Sequence, residues 1–203
     1  MTDVNKLVAT YPLISDQVDT RELTIVLETL QKSLLLPGSV VEFGCYVGTT
    51  SLFISRLLRA ESPEREFHVY DSFAGLPEKQ RQDLSPVGMQ FQAGELTASK
   101  KDFVRNYTRA GLSLPIIHKG WFDTLTSDSL PIHTAFAFLD GDYYASVRTS
   151  LALVWPRLVP GASVIIDDYA NEALPGAAKA VNEWRTIHPC SLRVEHSMAI
   201  LTI

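Results

Sequence analysis

Five short apolar runs, separated by segments with helical periodicity, dominate the hydrophobic pattern of the chain. The runs cover residues 39–43, 67–70, 114–118, 134–139 and 162–166. Each run is nearly continuous in apolar character and does not alternate with polar residues. This pattern is typical of strands that are buried on both faces of a parallel sheet. The five runs therefore predict the strands of a mostly parallel central sheet.

Helical spacing of apolar residues fills the intervals between these runs. Helices are predicted at about 20–35, from Thr49 or Thr50 through residue 58, and at 98–110, 145–155 and 175–187. Strands that alternate with helices predict a Rossmann-like, doubly wound α/β fold with right-handed crossovers. The last two apolar runs, 192–196 and 198–203, have no helix between them. They predict an antiparallel hairpin at the sheet edge, which brings the total to about seven strands.

Length and composition limit the domain organisation. The chain has 203 residues, of which 46% are hydrophobic, and this suits one domain with a full core. We expect a helical segment at 1–38 that packs on or covers a single domain at 39–203. Residues 73–97 form a long polar stretch with several glycines and prolines. Long excursions of this kind are often functional, and we predict a lid in which Leu84, Met89 and Phe91 supply the packing.

Charge and cysteine usage exclude several classes of protein. A net charge of -5 gives no electrostatic footprint for nucleic acid or an anionic membrane surface. The longest run without a charged residue has 13 residues, whereas a membrane span needs about 20. The N-terminus shows no signal-peptide pattern, and the two cysteines make neither a disulfide framework nor a zinc site. We therefore expect a cytoplasmic protein.

The segment after the first strand has the features of a cofactor-binding turn, because ligands of open α/β sheets bind beyond the carboxyl ends of the strands. Gly44 and Gly48 permit a tight turn, and the following helix N-terminus offers free N–H groups. Asp71 follows the second strand, where a carboxylate can accept hydrogen bonds from both hydroxyls of a ribose. Together these residues predict a cofactor that contains a nucleoside.

The side chain at position 46 favours one such cofactor. A dinucleotide fingerprint places glycine where this chain has Tyr46, because the backbone must approach the pyrophosphate. S-adenosylmethionine fits better, and Glu42 could face its ammonium group. A nicotinamide-dependent oxidoreductase and a non-catalytic nucleoside-binding protein remain as alternatives. An RNA methyltransferase is a third, which the acidic composition disfavours.

Carboxylates also follow the fourth and fifth predicted strands. Asp140 and Asp142 end the fourth, and Asp167 and Asp168 end the fifth, with one helix between them. Adjacent strand ends would bring these carboxylates together, where they would repel one another unless a cation neutralised them. Oxygen ligands of this kind suit Mg²⁺, Mn²⁺ or Ca²⁺. The sequence thus predicts a divalent-cation site.

Longer motifs add a family resemblance. They are Val40-Val41-Glu42-Phe43-Gly44-Cys45-Tyr46-Val47-Gly48-Thr49-Thr50-Ser51, Val69-Tyr70-Asp71-Ser72-Phe73-Ala74-Gly75-Leu76-Pro77-Glu78, Gly120-Trp121-Phe122-Asp123-Thr124-Leu125, Phe138-Leu139-Asp140-Gly141-Asp142-Tyr143-Tyr144, and Pro160 to Tyr169 with its Asp167-Asp168 pair. In these motifs the chain resembles the macrocin O-methyltransferase family. These are class I, S-adenosylmethionine-dependent enzymes of natural-product biosynthesis that need Mg²⁺.

The resemblance implies roles for individual residues. It implies that Asp140, Asp167 and Asp168 hold the metal. It implies that the cofactor pocket is formed by Glu42, Gly44, Cys45, Tyr46, Val47, Gly48, Thr49, Thr50, Asp71, Ser72 and Asp140, with Trp121 and Phe122 near the adenine. The two aromatic residues can equally be core side chains. The implied acceptor is a hydroxyl of a natural product, sugar or catechol-like ring, and the implied assembly is a homo-oligomer.

The expected chemistry needs a proton acceptor as well as a metal. A divalent ion that binds two neighbouring acceptor hydroxyls would lower the pKa of the reacting one. His118, at the end of the third strand, is a candidate base because its pKa range is suitable. Tyr143 and an oxygen of Asp140 are rivals. Catechol-type methyltransferases place a lysine base where this chain has Tyr143.

Overall fold

A seven-stranded sheet forms the centre of the computed structural model, which describes residues 1–87 and 91–203. Its strands are β1 (Ser39–Phe43), β2 (Phe67–Asp71), β3 (Ile116–Lys119), β4 (Thr134–Leu139), β5 (Leu158–Ile166), β6 (Ser191–Glu195) and β7 (Met198–Thr202). Their order in the sheet is β3-β2-β1-β4-β5-β7-β6. All neighbouring pairs are parallel except those that involve β7, which is antiparallel to both β5 and β6. The predicted α/β class and the antiparallel C-terminal hairpin are confirmed.

Six helices connect or precede the strands. They are α1 (Val4–Thr10), α2 (Thr20–Ser33), α3 (Thr49–Glu61), α4 (Lys100–Ala110), α5 (Tyr144–Val154) and α6 (Pro175–Arg185). Five of them were predicted to within two or three residues at each end. Helix α1 was not predicted, because it has only seven residues and buries only Val4 and Val8. So short a segment carries little periodic signal.

Two apolar layers cover the two faces of the sheet. On one face, Leu23 of α2, Phe53 of α3 and Phe103 of α4 belong to a single buried cluster. On the other face, Val147 of α5 and Val181 of α6 belong to a second cluster. Successive side chains of a strand point to opposite faces of the sheet. Because apolar layers cover both faces, every position of β1 and β4 is buried. This double burial explains why the strands are continuous apolar runs in the sequence.

The boundaries of two strands differ from the prediction. β3 lies at the edge of the sheet and begins at Ile116, two residues later than predicted. β5 begins at Leu158, earlier than the predicted run at 162–166, and passes through Pro160 and Gly161, a dipeptide that commonly forms turns. The strand continues because Leu158 pairs with Thr134 of β4, and the Gly161 N–H donates a hydrogen bond to the Ile203 carbonyl. Pairing with two neighbours outweighs the local turn signal.

The long segment between β2 and α4 is anchored to the domain at several points. Leu76 and Phe91 contact Tyr143 and Leu174 in a small apolar cluster. Leu84 is 66% exposed, so it does not supply the packing that we predicted for it. Met89 lies outside the described residues. Of the helices found in residues 1–87 and 91–203, all fall short of the length and apolar character that crossing a membrane requires.

Candidate active site

The turn that follows β1 packs directly against the end of β4. Gly44 has φ +84°, and a Cβ added to it would lie 1.9 Å from the carbonyl oxygen of Asp140. Only glycine allows this approach, because any side chain at position 44 would overlap the neighbouring backbone. The sheet order reverses between β1 and β4, and ligands of open α/β sheets bind at such a switch point. The structure therefore brings the predicted turn and the predicted metal ligand together.

Asp71 holds this turn in place through its carboxylate. Its Oδ2 accepts hydrogen bonds from the backbone N–H groups of Cys45 (2.7 Å) and Tyr46 (3.1 Å). Its Oδ1 accepts one from the N–H of Phe73 (2.7 Å). A carboxylate has about four acceptor sites, so Oδ1 can accept a further hydrogen bond. Asp71 also lines the large cavity above the strand ends, here called the main cavity, so its carboxylate can contact the hydroxyl of a ligand.

Glu42 is a fully buried carboxyl group at the end of β1. Its Oε2 accepts a hydrogen bond from the Ser51 hydroxyl, whereas Oε1 has no partner among the described residues. Burial raises the pKa of Glu42 to about 8. The hydrogen bond from Ser51 lowers this pKa, and the charge of Asp71 raises it further. A buried acceptor without a partner costs free energy. It is therefore suited to a donor that arrives with a ligand, such as an ammonium group.

The raised pKa of Glu42 makes the stability of the unliganded protein pH-dependent. Between about pH 4.5 and pH 8, the unfolded chain releases the Glu42 proton while the folded chain keeps it. The contribution of Glu42 to the free energy of unfolding therefore decreases as the pH rises through this window. In Glu42→Gln this decrease is absent. The free energy of unfolding of the variant should exceed that of the wild type by a margin that grows with pH. Above pH 8 the margin should be on the order of a few kcal/mol.

Urea unfolding from pH 5 to pH 9, without metal or cofactor, measures this margin. Glu28→Gln is the matched control, because Glu28 is an exposed residue of α2. A margin for Glu42→Gln that stays constant over the pH range would show that Glu42 is already ionised in the folded state.

Three carboxylates converge at the ends of β4 and β5. Each of Asp140, Asp167 and Asp168 offers an oxygen, and these oxygens all lie within 4.8 Å of one another. Burial, followed by repulsion from Asp167, raises the pKa of Asp140. Burial and the neighbouring Asp168 raise the pKa of Asp167 to about 8. Hard carboxylate oxygens crowded in this way fit the ligand set that Mg²⁺, Mn²⁺ or Ca²⁺ prefers.

Neighbouring groups orient these carboxylates. Asn171 Nδ2 donates a hydrogen bond to Asp168 Oδ1 at 2.8 Å. The backbone N–H of Asp168 donates to Asp167 Oδ1 at 2.8 Å, and the Ser197 hydroxyl lies 3.5 Å from the same oxygen. Asp168 has φ +56°, a strained conformation for a residue with a side chain. These contacts therefore fix the positions of Asp167 Oδ1 and Asp168 Oδ1, although the backbone conformation of Asp168 is unfavourable.

A cavity of about 780 Å³ opens above these strand ends. The sequence-predicted residues that line it are Gly44, Tyr46, Asp71, Ser72, Trp121, Phe122, Asp140, Tyr143, Asp167 and Asp168. Trp121 is 41% exposed and is thus not a core side chain, whereas Phe122 both lines the cavity and packs on Phe43. The volume is within the range usual for small-molecule sites.

The rest of the predicted cofactor turn lies outside the lining of this cavity. Glu42, Cys45, Thr49 and Thr50 line a small adjoining pocket of about 30 Å³. Val47 and Gly48 belong to neither lining. The Val47 carbonyl accepts a hydrogen bond from Asn106 at 2.9 Å, and an added Cβ on Gly48 would lie 2.9 Å from the Phe103 ring. These two residues therefore contact α4.

The structure does not bring His118 to the cavity. In the parallel pairing of β2 and β3, His118 is in register with Tyr70, and their rings stack at 4.4 Å. His118 Nε2 lies 3.1 Å from His68 Nδ1. Burial, followed by the neighbouring His68, lowers the pKa of His118. His118 thus belongs to an aromatic stack at the sheet edge.

Tyr143 lines the cavity, but its hydroxyl is already engaged. The hydroxyl donates a hydrogen bond to the carbonyl of Phe91, and the residue is 1% exposed. Burial, with a smaller contribution from Asp142, raises the pKa of Tyr143. The contact therefore fastens the segment around Phe91 to the beginning of α5.

Asp83 is a buried carboxylate that the sequence analysis missed. It accepts hydrogen bonds from the N–H of Tyr144 (2.7 Å) and the N–H of Gln80 (2.9 Å). Since α5 has no side-chain cap of its own, Asp83 supplies one from a distant loop. A Cβ on Gly176 would lie 1.9 Å from Asp83 Oδ1, so α6 also meets this carboxylate. No local pattern at Asp83 indicates this long-range contact.

Residues of the N-terminal segment complete the lining. Asp16, Asp19 and Glu22 all face the main cavity. Asp19 and Glu22 form a capping box at the beginning of α2, in which Glu22 Oε2 accepts a hydrogen bond from the Asp19 N–H at 2.8 Å. The Asp-x-x-Glu spacing is a recognisable signal for this cap. It could have located the helix start, although not its proximity to the cavity.

Comparison with known proteins links the chain to enzymes. Residues 13–197 match the family described as Macrocin-O-methyltransferase (TylF). Mycinamicin III 3''-O-methyltransferase of Micromonospora griseorubida is 33% identical over 166 residues, which are 77% of this chain and 63% of the relative. The 8-demethyl-8-(2,3-dimethoxy-alpha-L-rhamnosyl)-tetracenomycin-C 4'-O-methyltransferase of Streptomyces olivaceus is 34% identical over 157 residues, which are 74% of this chain and 59% of the relative. The matched part thus spans about three fifths of each relative's length.

A solved structure shows the same fold. The O-methyltransferase NovP superimposes with a TM-score of 0.79 over 98% of this chain and 86% of that one, at 23% sequence identity. At this level of identity the likeness establishes the architecture and nothing finer.

Proposed function

Because the chain belongs to the macrocin O-methyltransferase family, we propose that it transfers a methyl group from S-adenosylmethionine to a hydroxyl group of a small natural-product or sugar acceptor, aided by a divalent cation. One observation carries the proposal. The glycine turn and the three-carboxylate cluster meet at a single cavity, because Gly44 packs on the Asp140 backbone. A donor at the turn and an acceptor at the cluster would therefore be neighbours.

The cofactor would lie along the ends of β1 and β2. The unpartnered Oε1 of Glu42 would accept a hydrogen bond from the methionine ammonium, directly or through a water molecule. Asp71 would add a ribose hydroxyl to the donors that it already binds. Trp121 and Phe122 would lie beside the adenine at the cavity wall.

Asp140, Asp167 and Asp168 would hold the cation. When bound, S-adenosylmethionine supplies an electrophilic methyl group, and the divalent ion lowers the pKa of a hydroxyl that it contacts. The protein's own contribution is positioning, since orientation of two reacting groups can supply several kcal/mol. Asn171 and Ser197 help to orient these carboxylates, through contacts with Asp168 Oδ1 and Asp167 Oδ1.

Asp140 is the proton acceptor that the geometry supports. It lines the cavity and lies at the contact with the glycine turn, which is where the two substrates would meet. An oxygen of Asp140 that does not bind the cation would take the proton. The hydroxyl of Tyr143 and the ring of His118 are both engaged elsewhere.

Substitutions of the two rival bases should leave catalysis nearly intact. Tyr143→Phe removes the bond to the Phe91 carbonyl, and we expect a loss of about 1 kcal/mol of stability with kcat within roughly three-fold of wild type. His118→Phe preserves the stacking and should be equally active. Steady-state kinetics from pH 6 to pH 9 measures both variants. A fall in kcat of more than about a hundred-fold in either would identify that residue as the base.

The proposed activity is tested by offering the purified protein S-adenosylmethionine, Mg²⁺ and a panel of glycosides and catechols. We expect a product heavier by one methylene group, together with S-adenosylhomocysteine. Calorimetry with S-adenosylhomocysteine and NADH separates this activity from the oxidoreductase alternative. Binding of NADH alone would overturn the proposal.

We also propose that the protein is cytoplasmic and forms a homo-oligomer. We propose too that nucleic acids are not its partners, which the net charge of -5 supports. Sedimentation and a salt titration of RNA binding test these points.

A further inference from the structure

Strand β6 forms one outer edge of the central sheet, and β3 forms the other. Within residues 1–87 and 91–203, β6 pairs with β7 alone, so its outer side has no strand beside it. An edge strand presents backbone N–H and C=O groups that a strand from another molecule can pair with. The sheet can therefore be extended at β6.

The hydrogen bonds of β7 show which backbone groups of β6 point outwards. The N–H of Ile203, directly after β7, donates to the Ala162 carbonyl of β5, so Ile203 faces β5. Backbone groups of successive residues point in opposite directions, and the β7 residues that face β6 are therefore Met198, Ile200 and Thr202. Their partners in β6 are Glu195, Arg193 and Ser191. The N–H and C=O groups of Leu192 and Val194 thus point away from the sheet.

The side chains of β6 carry opposite charges on one face and apolar groups on the other. Arg193 and Glu195 share a face, because side chains of a strand alternate, and they form an ion pair with each other. Both side chains remain partly exposed. On the opposite face Val194 is 46% exposed, whereas Leu192 packs against the apolar layer below it. The strand therefore offers charges of both signs and one exposed apolar side chain to a neighbour.

Charge complementarity selects one way of pairing β6 with a second copy of itself. The outward groups of two antiparallel β6 strands can face each other only if the two-fold axis passes through Leu192, Arg193 or Val194. An axis at Arg193 places two arginines opposite each other, which is unfavourable. An axis at Leu192 leaves Arg193 opposite Ser191. An axis at Val194 places Arg193 of each copy opposite Glu195 of the other, so two cross-strand ion pairs form.

We infer that two copies of the chain form a symmetric dimer by antiparallel pairing of β6 about Val194, which makes their sheets continuous. The inference rests on the homo-oligomer proposed above, for which it names the surface, and it does not depend on methyl transfer. Such an interface uses the same strand of both copies, as a two-fold axis requires. The other edge strand, β3, has no acidic residue that could face its Lys119 in the same way. Self-pairing is therefore favoured at β6.

Exchange of the two charges tests this pairing. Sedimentation velocity over a roughly hundred-fold range of protein concentration should show a wild-type dimer that dissociates on dilution. Arg193→Glu places like charges opposite each other in both cross-strand pairs, and it should weaken the dimer at least about ten-fold. Glu195→Arg should do the same, whereas the double variant that exchanges both charges should dimerise nearly as well as the wild type. Arg105→Glu, which breaks an exposed ion pair with Asp102 on α4, is the control and should have no effect.

A cysteine on the proposed axis gives a direct readout. The Cα atoms of Val194 in the two copies would be about 5.5 Å apart, as in a hydrogen-bonded antiparallel pair, and a disulfide can span this distance. Val194→Cys should therefore form a disulfide-linked dimer on mild oxidation. Arg105→Cys, at an exposed position of α4, and the wild type with its Cys45 and Cys190 are the controls, and they should stay largely unlinked.

The possible failures can be told apart. A dimer that neither charge substitution weakens would leave the proposed homo-oligomer in place and overturn the pairing through β6. If the single variants dissociate and the double variant does not recover, the pairing about Val194 is wrong. A wild-type protein that is monomeric at every concentration would overturn both the homo-oligomer and this inference. Methyl transfer is measured separately and decides neither.

Discussion

Replacing Asp167 by alanine should lower kcat for methyl transfer by at least about a thousand-fold and leave the affinity for S-adenosylhomocysteine within about two-fold. The reason is the geometry of the cluster, in which Asp167 is one of three carboxylates within 4.8 Å. Two remaining carboxylates would bind a divalent ion weakly. The cofactor residues at the ends of β1 and β2 do not depend on Asp167, so cofactor binding should persist.

Thermal stability gives a readout that does not depend on activity. Burial and mutual repulsion raise the pKa values of Asp140 and Asp167, so the cluster destabilises the metal-free fold at neutral pH. In EDTA, Asp167→Asn should therefore melt at a higher temperature than the wild type. With Mg²⁺ the wild type should gain stability, whereas the variant should gain little. Asp128→Asn, at an exposed position, is the control. Turnover that survives both the substitution and EDTA would refute the metal requirement.

Gly44→Ala should be the most destabilising of the single substitutions considered. The new Cβ would lie 1.9 Å from the Asp140 carbonyl oxygen, and the residue would also have to keep φ +84°. Unfavourable φ alone costs about 1–2 kcal/mol, and separating β1 from β4 costs more, so we expect at least about 3 kcal/mol. Binding of S-adenosylhomocysteine should be lost, because the turn and the end of β4 would move apart.

Gly94→Ala separates the cost of the unfavourable φ from the cost of the steric overlap with Asp140. Gly94 has φ +83°, nearly the same as Gly44, but an added Cβ there has no heavy atom within 4 Å. The Gly94→Ala variant should therefore lose only about 1–2 kcal/mol of stability, which is the cost of the unfavourable φ, and should retain cofactor binding. Urea unfolding of both variants gives the difference. Equal losses would mean that the close approach of Gly44 to Asp140 does not hold in solution.

The fold could be predicted because its main determinants are local. Burial of β1 and β4 on both faces leaves continuous apolar runs. The predicted helix end at residue 110 coincides with the observed end of α4, where Gly111 is a left-handed C-cap with φ +63°. The rule that ligands bind at strand ends also led to Gly44 and Asp140, which both follow recognisable strands and both line the cavity.

Other parts of the site depend on information that a linear pattern lacks. His118 lies one residue before the end of β3, not at its end as predicted, and its register with Tyr70 places it in a ring stack outside the cavity lining. Asp83 binds Tyr144, which is 61 positions away, and the surrounding residues do not mark it as buried. The carboxylates of Asp19 and Glu22 reach the cavity only because α2 packs over the domain. Long-range packing, rather than residue type, decides these placements.

The contact between Asp83 and Gly176 has a consequence for protein engineering. A chimera that exchanges the 73–97 segment for that of a relative would transplant or delete the carboxylate of Asp83, which caps α5 and packs against α6. A relative with a side chain at the position of Gly176 could not receive Asp83, because a Cβ there would lie 1.9 Å from its oxygen. Recombination of the 73–97 segment in this fold therefore has to move the segment and the first turn of α6 as one unit.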